Sequence, residues 1–219
     1  YSFFYFTSLQ SIEIPDNIIS IGSYSFSGCS SLTHLIIPSS VISIGSSSFS
    51  FCSKLNSFNL SINLQTIGKN VFSQCTGLRS ISIPESITRI TTSTFYKCDK
   101  LMSIELPNKL ESIDGCAFYM CNSIRSFKVP SGVRQLGYHS FCYCENLESV
   151  SLPDSLIRIG AHSFEGCSSL TSINFPANLI SIGDYAFSYC KLGFNVTIPS
   201  SCLTIESNSF SYSKLVSIK

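Results

Sequence analysis

Cysteine returns every 23 residues along this chain, at Cys29, Cys52, Cys75, Cys98, Cys121, Cys144, Cys167 and Cys190. Phenylalanine keeps the same interval from Phe3 to Phe210. Proline keeps it from Pro15 to Pro199, with Ser61 in the one gap. Three columns in phase over almost all of the 219 residues demand a repeat architecture. A unit this short cannot bury an apolar face alone. Stacked units can, and their core then runs continuously along the stacking axis.

Residues 167–190, CSSLTSINFPANLISIGDYAFSYC, show the unit. The stretch Leu-x-x-Ile-x-Ile alternates near its end, which signals a half-buried strand. Proline follows at once and stops the ladder, because it has no N–H to donate. A second extended piece carries two apolar residues three apart, such as Leu179 and Ile182. Glycine then turns the chain, as at Gly45 and Gly68. The segment around Phe and Cys reads as a tight helical turn. About nine coils follow, with strands of neighbouring coils roughly 4.8 Å apart and a rod roughly 40 Å long. The chain is expected to form one solenoid domain over residues 1–219. It opens inside a repeat, and neither end carries the polar cap that solenoids use. A piece of a longer chain is therefore expected.

The unit L-x-x-I-x-I-P-x-x-I-x-x-I-G-x-x-A-F-x-x-C resembles the BspA-like, treponemal-type class of leucine-rich repeats, and the likeness covers essentially the whole chain. The resemblance implies a leucine-rich-repeat solenoid with a parallel β-sheet on its concave side. It further implies a cell-surface or secreted protein that adheres to host cells or extracellular-matrix proteins. The serine-rich, cysteine-containing style is closer to the protozoan members of the class than to the bacterial ones. No catalytic residue carries over, since the family motif is structural throughout.

Charge narrows the choice of partner. Lys, Arg, Asp and Glu make up 12% of the chain and the net charge is +1, while serine alone supplies 46 residues. Capture of nucleic acid or an anionic membrane needs concentrated Lys and Arg, and the chain has no such block. No apolar run reaches the ~18–20 residues of a membrane span. The three histidines, His34, His139 and His162, stand beside no evident nucleophile, and the glycines follow the repeat instead of forming a phosphate loop. An enzyme and a cofactor are not expected. A protein partner is, with a structural or self-associating spacer, joined through its ends, as the alternative.

The cysteine column is expected to be a ladder of buried, reduced thiols, because stacked side chains point the same way and not toward one another. Cys116, Cys142 and Cys202 lie outside the column, and surface thiols are the reading for them. Two residues before phenylalanine, successive coils carry Cys116, His139, His162 and Tyr185. Such residues could ligate zinc, but a polar column on an exposed turn is the preferred reading, and no metal is expected.

Candidate contact residues are those the repeat leaves over. Tyr96, Tyr119, Tyr143, Tyr185 and Tyr189 flank the phenylalanine and cysteine columns, and tyrosine joins contact area to a polar tip. They could equally cover the ends of the core. Arg79, Arg125 and Lys128 flank a strand column that is nearly all serine, from Ser11 to Ser172. That column could mark a binding face or simply the small residue a tight stack tolerates. Sequons at Asn59 and Asn195 fall on the same strands and are expected to be unglycosylated.

Overall fold

The structure is a computed structural model that describes residues 1–218. Each 23-residue unit closes one coil of a parallel β-solenoid. Two kinds of strand recur. Three-residue strands at Ser57–Asn59, Ser80–Ser82, Ser103–Glu105, Ser126–Lys128 and Ser149–Ser151 form the inner sheet. Two-residue strands, from Ser20–Ile21 to Thr204–Ile205, form a second sheet. Pairing is parallel, and each residue meets its counterpart one unit on: Ser57 pairs Ser80 and Ser80 pairs Ser103. The last pairing slips, so that Phe194 meets Leu215 while Asn195 meets Ser217.

Alternation sets the faces. In Ser80–Ser82 the middle Ile81 is buried and both serines are exposed. The Leu, Ile, Phe and Cys columns turn inward and form one core cluster from Ile21 to Val196. Each fully buried Leu or Phe contributes about 1.5–3 kcal/mol. Phe rings stack face to face through all ten coils that carry one, from Phe3 on Phe26 at 5.1 Å to Phe187 on Phe210 at 5.4 Å.

The third side of the coil is not helical. Among the described residues there is no helix. The N–H groups of Ser25, Ser27 and Cys29 donate three residues back, to the carbonyls of Gly22, Tyr24 and Phe26. Those of Tyr24, Phe26 and Gly28 instead cross to Ser46, Ser48 and Ser50 of the next coil, at 2.9, 2.8 and 2.8 Å. Such alternation needs a left-handed residue on each side of phenylalanine. The backbone meets that need: His139 and Tyr143 flank Phe141 at φ 53° and 56°, and Cys116 and Met120 flank Phe118 at 56° and 55°. A left-handed L-residue costs roughly 1–2 kcal/mol, and the inter-coil hydrogen bonds offset it. The expected helical turn is thus replaced by a third ladder between coils.

Glycine is needed where coils approach most closely. A Cβ on Gly68 would lie 2.4 Å from the backbone nitrogen of Ser46. Thr91 is the only β-branched residue in that glycine column, and the second sheet breaks at its coil, between Thr66–Ile67 and Arg89–Ile90. The inner sheet breaks between Ser103–Glu105 and Ser126–Lys128, leaving an open depression of about 460 Å³.

Candidate functional site

The left-handed turns decide what the chain displays. Residues two before, one after and two after phenylalanine lie along the same edge, most of the small ones buried and the larger rings reaching its surface, where stacking sets them in rows. Tyr96 lies on Tyr119 with centroids 4.9 Å apart, and Tyr119 meets Tyr143 edge-on at 6.0 Å. His139 stacks on His162 at 4.5 Å, and His162 on Tyr185 at 5.1 Å. Tyr189 stacks on Tyr212 at 4.7 Å. Tyr143 and Tyr189 are exposed, while Tyr96, Tyr119 and Tyr185 are half-buried. The five tyrosines therefore join one edge in the structure. Lys97, which the sequence reading passed over, lies 5.5 Å from the Tyr96 ring. Gly166 leaves room for Tyr143, whose ring would stand 2.4 Å from a Cβ placed there.

A polar cluster sits within this edge. His162 Nδ1 lies 2.7 Å from Glu165 Oε2, an ion pair when the imidazole is protonated. One nitrogen from each of His139 and His162 and one oxygen of Glu165 lie within 4.8 Å of one another. His139 Nδ1 is buried without a hydrogen-bond partner. Burial, helped by the neighbouring His162, pulls the His139 imidazole below the usual histidine range and favours its neutral form. The Cys142 thiol faces Glu165 Oε2 at 3.8 Å. Burial and that carboxylate push its pKa up, so it stays protonated. Cys142 is fully buried, which corrects the surface-thiol reading for it; Cys116 and Cys202 are partly exposed.

Glu165 was missed in the sequence, although a signal for it existed. It lies three residues after His162, which stands one 23-residue unit after His139, and 26 is the sum of the two steps. Each column cysteine donates its thiol across that same offset to a phenylalanine carbonyl, as Cys29 does to Phe3 and Cys190 to Phe164, both at 3.1 Å. All eight column thiols are buried and unpaired with one another.

Arg79, Arg125 and Lys128 stand elsewhere, exposed beside the inner sheet. Arg125 pairs with Glu148 at 2.6 Å, but both side chains are largely in solvent, where such a pair contributes little. Lys128 lines the inner-sheet depression with Met102, Asn108 and Ser126. Asn59 is exposed on its strand, whereas the side chains of Phe194 and Asn195 lie outside the described residues. Among the described residues, no ring contact or ion pair joins these cations to the tyrosines.

Comparisons with known proteins agree with this geometry. The chain matches the BspA type leucine rich repeat region in six copies, over residues 1–122 and 88–217. A leucine-rich repeat protein of Bacteroides ovatus superposes with a TM-score of 0.63 at 30% identity, covering 91% of this chain and 54% of that one. The chain thus spans about half that protein's length. A leucine rich cell surface protein of Faecalibacterium prausnitzii gives 0.53 at 26% identity, over 100% of this chain and 74% of that one. The leucine-rich repeat protein of T. pallidum gives 0.54 at 28%, over 83% and 76%. No curated protein sequence matches the chain significantly. Repeat period, parallel ladders and family match converge, and the chain belongs to the BspA-type leucine-rich repeat family.

Proposed function

We propose that the chain is a non-catalytic protein-binding module of a cell-surface or secreted protein, and that it adheres to host-cell or extracellular-matrix proteins through its tyrosine-bearing edge. One observation carries the choice of edge. Stacking absorbs the Leu, Ile, Phe and Cys columns into the core, and the rings left over are preordered in rows on the turns. Rings already held in place lose less entropy on binding, and tyrosine is a favoured interface residue. A surface setting is supported by the Faecalibacterium prausnitzii neighbour, which is described as a cell surface protein.

The test is a binding screen of the chain against matrix proteins and host cells, followed by the triple variant Tyr119→Ser, Tyr143→Ser, Tyr189→Ser. Loss of binding in the variant supports the tyrosine edge. Unchanged affinity overturns it and moves attention to the inner sheet with Arg79, Arg125 and Lys128. A structural or self-associating spacer is the second reading, favoured by a composition with 12% charged residues and abundant serine. Concentration-dependent sedimentation of the chain alone would support it.

A further inference from the structure

We infer that His139, His162 and Glu165 form a binding site for a late transition-metal cation, zinc(II) above all. The site is independent of any protein partner. Three observations carry it. The three donors come from two stacked coils and lie within 4.8 Å of one another. The backbone N–H groups of His139 and His162 donate to Ala161 and Asp184 of the following coils at 2.9 and 2.7 Å, so both histidines are held by the turn ladder and not by a loose loop. The pairing of His162 with Glu165 leaves His139 Nδ1 buried and unpartnered. A structural ion pair accounts for two of the three residues and leaves that nitrogen unexplained. A metal would take one nitrogen from each imidazole and one oxygen of the carboxylate, and so use all three residues.

The donor types select the cation. Imidazole nitrogens suit zinc and its neighbours, whereas calcium and magnesium require oxygen cages. Tetrahedral zinc with bonds near 2.05 Å places its ligand atoms roughly 3.3 Å apart. His162 Nδ1 and Glu165 Oε2 are hydrogen-bonded at 2.7 Å, and a metal would replace that bond by moving the two atoms slightly apart. The His139 ring stacks on His162 at 4.5 Å, and it would turn out of that stack to aim a nitrogen at the same metal. Two imidazoles and one carboxylate leave a fourth position for water. The buried Cys142 thiol, 3.8 Å from Glu165 Oε2, lines the site from behind.

Zinc(II) titrated into chelator-stripped protein tests the site, with stoichiometry from calorimetry and elemental analysis. One equivalent is expected. In the unaltered protein, zinc should shift the imidazole proton resonances of His139 and His162 and leave those of His34 in place. His139→Gln, His162→Gln and Glu165→Gln should each weaken binding at least roughly tenfold. Cobalt(II) should give the visible bands of a low-coordinate site. Failure to bind a full equivalent overturns the site. So does equal binding by a variant carrying all three changes, or a thiolate-to-cobalt band without any shift of the two imidazoles. The resonance shifts keep the test decisive even if a variant fails to fold.

Discussion

The thiol of Cys121 donates a hydrogen bond to the carbonyl oxygen of Phe95, 3.1 Å away in the preceding coil. The same oxygen accepts the N–H of Cys98, also at 3.1 Å. The cysteine column thus saturates a buried carbonyl in every coil it follows, which alanine at that position could not do. Replacing Cys121 with Ala should cost about 1–3 kcal/mol, from an under-satisfied carbonyl and a small void. Urea unfolding measures this, and a midpoint unchanged from the parent would show that neither the hydrogen bond nor the filled volume stabilises the fold.

Alkaline pH should unfold the protein through the same thiols. Burial pushes Cys75, Cys144 and Cys190 up to about 12, against roughly 8.5 in the unfolded chain. The folded state therefore holds protons that the unfolded state has released. The stabilisation is complete below about pH 8.5 and falls as pH rises toward 12, by about 1.4 kcal/mol per pH unit for each such thiol. Stability measured from pH 8 to 11 should fall steeply, and Cys144→Ala should make the slope shallower by about one proton. A slope identical in the two proteins would refute the linkage.

Coil spacing should respond to a single methyl group. Gly68→Ala would place a Cβ against backbone of the preceding coil, 2.4 Å from Ser46 N and 2.7 Å from Gly45 C. Rigid backbone cannot move aside, so a loss of about 3 kcal/mol or more is expected. At Gly193 the nearest atom to an added Cβ is 3.8 Å away, and alanine there should change the melting temperature little. Equal effects at the two positions would contradict the close approach at Gly68.

The left-handed turns make a prediction that a helical turn would reverse. Gln74 sits at φ 60° on the edge. Gln74→Val should destabilise by about 1–2 kcal/mol, since a β-branched residue fits that region worst, and Gln74→Gly should be close to neutral. On a helix, glycine would be the more damaging change. Thermal melts of the two variants decide between the backbones.

Much of this protein follows from the spacing of its letters. A 23-residue period places Phe, Cys, Leu and Ile in columns, and columns of apolar residues have to face inward because no coil has another way to bury them. The parallel ladders, the ring stack and the unpaired thiols are consequences of that one interval. The hand of the turns was not legible. Phe-x-x-Cys donates three residues back in a helical turn and in this edge alike. What separates the two is where the N–H of Phe itself goes. In the protein it goes to the next coil, as from Phe118 to Ser140 at 2.8 Å, a partner that exists only after stacking. The meeting of His139 with Glu165 has the same origin. Period alone places His139 beside His162. Only the left-handed turn, which sets Glu165 against His162 three residues before it, brings in the carboxylate.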